Sequence, residues 1–234
     1  MSAPPGTLTR FTGFDRDALQ FFHELAVEMN RDWFAANRQR YLAQWVEPMT
    51  ALLAEVTARV AAAYAPIRLG APSIFRIHRD TRFSSDKTPY KTHIAGRLPL
   101  HAKLPINGGC SALFFQLGID EEYAGVGTYF FDRDQLIRWR KLVAADRTGG
   151  ALATLIARLR KAGYRVAGHD DYKRVPGGFP SDHPRAPLLK LRGLTAAFPA
   201  IPRGLVHRRA LVDWLVEHCC ATSPLVTWLY RRVK

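Results

Sequence analysis

The sequence predicts an α+β fold with N-terminal helices, a central and mostly antiparallel sheet, and C-terminal helices. Three observations predict it. Apolar residues recur at helical spacing in the first third of the chain, short β-branched segments cluster in the middle third, and helical patterns return in the last third. Strands grouped between runs of helices are typical of α+β proteins, whereas α/β proteins alternate strand and helix.

The first third is predicted to hold a short helix followed by a long one. Asp15 is the expected N-cap of the first helix, because its short carboxylate side chain accepts from free backbone N–H groups. Asn30 and Asp32 then interrupt the pattern and are expected to cap the second helix, which runs from about Trp33 to Tyr64. A proline cannot donate the helical hydrogen bond, so we expect a kink or a split at Pro48.

The middle third is predicted to form four strands. Segments 73–79, 92–98, 112–119 and 123–131 carry the apolar or alternating patterns of strands, and Asn107-Gly108-Gly109 is a turn signal. The acidic turn 120–122 should join the last two segments as an antiparallel hairpin. Gly125 and Gly127 lack the further glycine of a nucleotide-binding fingerprint, so they are expected to mark a bulge or a close backbone approach.

The last third returns to helices. Asp132 and Gln135 have the spacing of a capping box, which should open a helix, and Gly149 and Gly150 are expected to separate it from the next one. Gly163 is predicted to end that second helix. Segment 168–198 is rich in proline, glycine and charge and reads as a long ordered loop with short strands. Helix 208–219 should be followed by a separate final helix that begins at Ser223-Pro224.

Length and composition favour one intracellular domain. A chain of 234 residues is long enough to bury a core without disulfides, and we expect a single domain over residues 11–234 after a flexible terminus, residues 1–10. No basic start followed by an apolar run is visible, and the longest apolar helical stretch contains charges, so neither a signal peptide nor a membrane span is expected. Three cysteines without paired spacing favour a reducing cytoplasm and provide no zinc motif.

The positive charge of the chain is concentrated in its C-terminal part. The formal net charge is +14, of which residues 133–234 contribute +13, from 20 Lys and Arg against 7 Asp and Glu. A basic region attracts polyanions, which favours nucleic acid as a partner. The alternative is a basic solvated surface without a specific ligand. The aromatic residues of this part, such as Trp214 and Trp228, fall at helical spacing and are expected to belong to the core.

The densest group of charged residues lies between positions 76 and 91. If 74–80 is a strand, Phe75 and Ile77 should face the core, while Arg76 and His78 face a polar surface. Guanidinium groups bind phosphate or carboxylate oxygens in pairs, and lysine adds a point charge. The group is therefore a candidate anion site, with the ligand-binding candidates Arg76, Arg79, Arg82, Ser84, Asp86, Lys87, Tyr90 and Lys91. The alternative is a network of Arg–Asp pairs that holds a loop together without a ligand.

Catalytic signals are weaker than this binding signal. Histidine is a common acid–base side chain and His78 is close in sequence to Asp80, so these two are the candidates for acid–base chemistry. No nucleotide, hydrolase or metal-binding motif occurs, so the sequence predicts neither a cofactor nor a metal. Whether the protein is an enzyme stays open.

Several segments together resemble a known family. The run Arg76-Ile-His-Arg-Asp-Thr-Arg-Phe-Ser-Ser-Asp-Lys-Thr-Pro-Tyr-Lys91 resembles the signature of a bacterial and fungal family known as domain of unknown function 2461. Segments 21–25, 30–38, 125–129, 172–179, 182–184 and 188–190 resemble further blocks of it. The resemblance covers about residues 11–200 and implies membership without implying an activity. One difference is that both Lys190 and Arg192 stand where the family has a single lysine.

The late polar loop extends the candidate site. Lys173 and Arg174 lie in a segment too polar for a core, and if this loop folds over residues 76–91 the two segments form one cationic cleft. The sequence therefore supports three functions. The first is a cleft for a small phosphate- or carboxylate-bearing ligand, the second is nucleic-acid binding by the basic C-terminal half, and the third is a structural or partner-binding scaffold.

Overall fold

The computed structural model describes residues 10–82, 85–101 and 109–233. It confirms the predicted α+β architecture, with helices at both ends and a central sheet of six antiparallel strands. The predicted flexible terminus, apart from residue 10, the candidate Ser84 and the turn residues Asn107 and Gly108 lie outside the described residues. No helix among the described residues has the length and apolar character needed to cross a lipid bilayer.

The N-terminal helices follow the sequence pattern closely. They are α1 (Ala18–Glu28), α2 (Arg31–Tyr41) and α3 (Glu47–Tyr64), with a π-helical turn (Leu42–Val46) between α2 and α3. The predicted interruption near Pro48 is this π turn, which directly precedes the first turn of α3, where the proline lies. Asn30 caps α2 as predicted, since its side chain accepts from Trp33 N at 2.8 Å. The predicted cap of α1 was wrong, because the capping position is Asp17.

The sheet has the strand order β1-β2-β3-β4-β6-β5. The strands are β1 (Ser73–Ile74), β2 (His93–Pro99), β3 (Ser111–Gly118), β4 (Glu122–Thr128), β5 (Arg165–Ala167) and β6 (Leu194–Ala197). The predicted hairpin is β3–β4. The first strand is shorter than predicted and ends at Ile74, so Phe75 and Ile77 do not share a core-facing side. Ile77 is buried in the core, whereas Phe75 is half-buried and lines a cleft.

Two glycines predicted to break a helix lie inside one. α4 (Arg133–Ala144) opens with the predicted capping box, and α5 (Asp146–Lys161) follows after a single residue. Gly149 and Gly150 therefore belong to α5. A Cβ at position 149 would lie 2.0 Å from the Val143 carbonyl oxygen, so this glycine permits the close contact between the two helices. The prediction failed because it treated a packing glycine as a helix breaker. Gly163, in contrast, does follow the end of α5, with φ of +92°.

The two predicted C-terminal helices are one continuous helix. After the short helix α6 (Ala186–Leu189) and a 3₁₀ turn (Leu205–His207), α7 runs from Ala210 to Val233 and contains Pro224. Pro224 cannot donate to the carbonyl of Cys220, four residues earlier, and the Ser223 hydroxyl donates to that oxygen instead at 2.8 Å. This local replacement lets the helix continue through the proline.

The long helices cover one face of the sheet. α3 packs on β2, where a Cβ at Gly96 would meet Leu53 of α3 at 2.6 Å, and α7 packs on β3 and β4. Phe115 of β3 is fully buried in the core between these layers. The N-terminal segment is attached by Glu55 of α3, which accepts from Phe11 N at 2.6 Å and from Arg209 at 2.8 Å. The opposite face of the sheet carries a cleft.

Candidate functional site

The charged segment predicted from the sequence forms a loop at the β1 edge of the sheet. Its two ends are tied together by backbone hydrogen bonds, from Arg79 N to Pro89 O at 2.9 Å and from Lys91 N to Ile77 O at 2.9 Å. Because Ile77 is buried, it anchors this loop to the core. The charged side chains between these anchors are therefore held near one another.

Most cations of this loop have partners within it. Arg82 donates to both oxygens of Asp80, at 2.9 and 2.7 Å, and Arg79 pairs with Asp86 at 2.7 Å. The Arg82 guanidinium is the main cause that lowers the pKa of Asp80 to about 2. Lys87 donates its Nζ to the carbonyl of Thr81 at 2.7 Å. This arrangement corresponds to the network alternative, in which arginine–aspartate pairs hold the loop.

Arg76 and Lys91 are less engaged with carboxylates. Arg76 lies 3.9 Å from Asp80 and is largely exposed. Lys91 is partly buried, with its Nζ 5.9 Å from the centre of the Phe75 ring. Burial lowers the pKa of Lys91, and the nearby charges of Arg76 and Arg79 lower it further. The loop thus keeps a positive field beside Phe75.

The remaining candidates of the loop are placed differently from one another. Tyr90 is only 3% exposed, and its ring packs on Phe34 with centroids 4.7 Å apart, so its position is that of a core residue. His78 is exposed and its ring lies against Phe34 and Tyr90. Asp80 is engaged by Arg82. Acid–base work by His78 with Asp80 stays a prediction.

Lys173 and Arg174 lie near the β5 edge of the sheet, opposite the β1 edge that carries this loop. Both are exposed, in the connection between β5 and β6. Neighbouring strands are about 4.8 Å apart, so five spacings put roughly 24 Å between β1 and β5. The hypothesis that these two segments form one cleft is therefore not supported by their positions, because they start from opposite edges of the sheet with the cleft between them.

The cleft lies on the sheet face opposite α3 and α7 and has a volume of about 680 Å³. That volume is within the range of small-molecule sites. Five of its sixteen lining residues are Phe or Tyr, and seven others are polar or charged. It is lined by Phe75, Arg97, Gly109, Ser111, Phe114, Gln116, Glu121, Tyr123, Gly125, Val126, Gly127, Tyr129, Phe130, Arg165, His169 and Thr195.

Two glycines of β4 form the floor of the cleft. A Cβ at Gly125 would lie 2.7 Å from the Tyr123 hydroxyl oxygen, and one at Gly127 would lie 2.3 Å from the Leu194 carbonyl oxygen. Gly127 also has φ of +116°, which disfavours other residues. The β3–β4 register shifts opposite this pair, between Ser111 and Phe114. The predicted bulge and close backbone approach are thus confirmed, and at Gly125 the missing side chain leaves room for the end of the Tyr123 ring.

Four hydrogen-bonding side chains meet at the β5–β6 end of the cleft. His169 Nε2 lies 3.3 Å from Thr195 Oγ1, and the Tyr123 hydroxyl is hydrogen-bonded to the same threonine. Burial and then the charge of Arg165 lower the pKa of His169, so the imidazole is held toward its neutral form. The ring of Tyr129 packs on His169, with centroids 4.1 Å apart. We call Tyr123, Arg165, His169 and Thr195 the donor cluster.

Arg97 occupies a separate position in the cleft. It lies on β2 opposite Phe114 and is only 5% exposed, and burial lowers the pKa of its guanidinium. Four strand spacings put roughly 19 Å between β2 and β5. A carboxylate also lines the cleft, that of Glu121, which accepts from Gln116 at 3.3 Å. The cleft therefore has two cationic positions joined by an aromatic middle.

Sequence reasoning did not identify this cleft. Arg97, Arg165 and His169 are scattered singly along the chain, and only the sheet order brings β2, β4, β5 and β6 side by side. One signal was available, because Gly125 and Gly127 marked a close approach in a strand. Among the described residues, no group of three or more His, Cys, Asp or Glu side chains is arranged to hold a metal ion.

The fold and the cleft define an α+β protein whose six-stranded sheet is covered by helices on one face and carries a ligand-sized cleft on the other. The chain belongs to the family described as Conserved hypothetical protein (DUF2461), whose model matches residues 17–228. The resemblance found in the sequence is thereby confirmed. None of the curated proteins and none of the solved structures gives a significant match.

Proposed function

We propose that this protein binds a small molecule that carries a phosphate or carboxylate group together with a planar ring. The observation that supports the proposal is the convergence of the donor cluster, defined above as Tyr123, Arg165, His169 and Thr195, at one end of an aromatic cleft. A mostly apolar cleft with a few convergent polar groups is the usual form of a small-molecule site.

The anionic group of the ligand is assigned to the donor cluster. Arg165 supplies a permanent charge and a planar fork of N–H donors, which matches phosphate and carboxylate oxygens. Tyr123 offers a hydroxyl donor, and Thr195 can offer another if its hydroxyl turns from the Ala167 carbonyl, 3.4 Å away. His169 adds a second charge when it is protonated, and an arriving anion favours that protonated form. The donor cluster therefore combines charge with directional hydrogen bonds.

The planar part of the ligand is assigned to the middle of the cleft. Phe114 and Tyr123 contact each other edge to face across β3 and β4, with centroids 5.9 Å apart, and the hydroxyl end of Tyr123 lies over Gly125. A flat ring can pack against these two aromatic side chains. The positive loop at residues 76–91 borders the other end through Phe75, where Lys91 adds to the field. Most cations of this loop are already paired within it. Its role in the proposal is therefore to attract the anionic ligand toward the cleft by its positive field.

The test uses three probes of stepwise complexity, namely inorganic phosphate, phenol and phenyl phosphate. Titration calorimetry at pH 7.5 should give the tightest binding for phenyl phosphate, because only this probe uses the donor cluster and the aromatic middle together. Arg165→Gln should weaken phenyl phosphate about tenfold or more, since a hydrogen bond to a charged group contributes about 1.5–3 kcal/mol. Arg31→Gln is the matched control, because Arg31 is exposed on α2 and outside the cleft.

Two results would count against the proposal. Equal loss of binding in Arg165→Gln and Arg31→Gln would show a general charge effect. Absence of binding by phenyl phosphate and by benzoate, its carboxylate counterpart, would favour the scaffold alternative. We also propose the cytoplasm as the compartment, because Cys110, Cys219 and Cys220 are all free thiols. Cell fractionation tests that assignment.

A further inference from the structure

The aromatic wall of the cleft continues onto the surface beyond it. Phe130 lines the cleft, and the Arg192 guanidinium lies 5.5 Å from the centre of its ring. The same guanidinium lies 5.5 Å from the ring of Tyr172, and Arg140 lies 5.2 Å from that ring. We call Phe130, Arg192, Tyr172 and Arg140 the Tyr172 stack. It is continuous with the cleft because Phe130 belongs to both.

This stack is accessible and lies in the basic part of the chain. Tyr172 is 42% exposed, and Tyr129, which contacts Phe130 edge to face, is 54% exposed. Lys173 and Arg174 follow Tyr172 directly and are also exposed. Asp170 and Asp171 precede it and reduce the local charge, yet residues 133–234 as a whole carry +13. Exposed rings interleaved with arginines, in a strongly basic region, are complementary to a chain that presents both rings and negative charges.

We infer that the occupant of the cleft and the Tyr172 stack is single-stranded nucleic acid. Bases stack on aromatic side chains and on guanidinium planes, while lysine and arginine contact the phosphates. One nucleotide would occupy the cleft, with its phosphate at the donor cluster and its base in the aromatic middle. The strand would then pass over Phe130 to Tyr172, where a second base stacks. This inference rests on the proposed function, since it identifies the ring and the anion of the cleft ligand as those of a nucleotide.

A duplex does not fit the same surface. Its bases are already stacked on each other and present no free ring faces, and the cleft volume of about 680 Å³ suits single planar groups. An acidic peptide supplies charge without rings in sequence, so it would use the arginines and leave the aromatic side chains unused. Stacking is also tolerant of base identity, so we expect weak sequence preference.

The experiment measures fluorescence anisotropy of a labelled twelve-nucleotide strand, as oligo-dT and as oligo-U, with the full chain. We expect both oligonucleotides to bind. A duplex of the same length should bind at least about tenfold more weakly. Tyr172→Ala should weaken strand binding about tenfold, whereas Tyr172→Phe should retain it, because stacking on one base contributes about 1–3 kcal/mol and needs the ring only. Tyr172 is exposed, so neither variant should disturb folding.

Salt dependence tests the arginines of the stack. Each neutralised phosphate of a single strand contributes a slope of about −0.7 to the plot of log affinity against log salt concentration. Arg192→Gln should therefore make the slope shallower by about 0.7. Arg31→Gln, the same change at an exposed position on α2, should leave the slope unchanged.

The results that would overturn the inference are distinct from those that would overturn the cleft proposal. Equal binding of the strand, the duplex and poly-glutamate would show a general attraction of polyanions. Equal binding by Tyr172→Ala and Tyr172→Phe would show that no base stacks there. If phenyl phosphate binds in an Arg165-dependent manner while the strand binds no more tightly than phenyl phosphate, the nucleic-acid inference alone is wrong. If phenyl phosphate and benzoate fail to bind as well, both are wrong.

Discussion

Replacing Gly127 by alanine should destabilise the protein far more than the same change at a glycine in open space. Gly127 lies on β4 and is paired with Thr195 of β6. An added Cβ would lie 2.3 Å from the Leu194 carbonyl oxygen and 2.9 Å from the Thr195 Cα. Both contacts are with backbone, so no side chain can rotate away to relieve them. The strands themselves would have to separate.

The expected decrease in the free energy of unfolding of Gly127→Ala has two contributions. Holding a residue other than glycine at φ of +116° costs about 1–3 kcal/mol. Separating β4 from β6 locally removes one or two backbone hydrogen bonds, at about 1 kcal/mol each. The sum is about 2–5 kcal/mol, a large share of the roughly 5–15 kcal/mol that stabilises an ordinary domain. Gly178 has φ of +89° and nothing within 4 Å of its Cβ position, so alanine there should cost only the conformational part.

Urea unfolding followed by tryptophan fluorescence measures the free energy of unfolding of both variants. The difference between Gly127→Ala and Gly178→Ala isolates the close approach of the two strands from the backbone conformation. We expect this difference to be about 1–2 kcal/mol, with Gly127→Ala the less stable variant. Equal losses, within about 0.5 kcal/mol, would refute the reasoning that β6 backbone closes against this glycine.

Two further predictions concern stability. Ser223→Ala should lower the free energy of unfolding by about 1 kcal/mol, because it removes the hydroxyl that donates to the Cys220 carbonyl beside Pro224, whereas the double variant Ser223→Ala/Pro224→Ala should recover it by restoring the backbone donor. Failure of the double variant to recover would contradict this account of the helix. The Arg209 guanidinium lowers the pKa of Glu55, so its pairing stabilises the fold above the unfolded pKa of about 4.3 and is lost as the pH falls below it. Glu55→Gln should therefore destabilise by about 1–3 kcal/mol at pH 7, with the gap to wild type closing toward pH 3 in urea titrations; a pH-independent gap would contradict the assignment.

Local signals predicted the elements whose stabilising contacts are local. The cap at Asn30, the capping box at Asp132 and the hairpin around residues 120–122 each depend on residues a few positions apart, and each was predicted. The family signature at 76–91 was also found, since its residues are contiguous. Its internal pairs, such as Arg82 with Asp80, are two residues apart, yet choosing between network and ligand site required the atomic arrangement.

Predictions failed where an atomic contact that the sequence pattern does not show decides a residue's role. Gly149 was read as a helix breaker, but the Val143 carbonyl packs where its side chain would be. Pro224 was read as a helix start, but the Ser223 hydroxyl compensates for its missing donor. Phe75 was assigned to the core because the strand was expected to continue, whereas the strand ends before it and its ring lines the cleft.

The sequence by itself determined the α+β class, the N-terminal helices, the strands of the middle third, the family and the concentration of positive charge in the C-terminal part. These properties depend on periodicity, composition and short motifs, which can be recognised without any knowledge of long-range contacts. The tertiary structure alone decided where the cleft lies. Antiparallel pairing placed β6 between β4 and β5, which brought Tyr123, Thr195 and His169 together from positions up to 72 residues apart and left the face opposite the helices as a cleft.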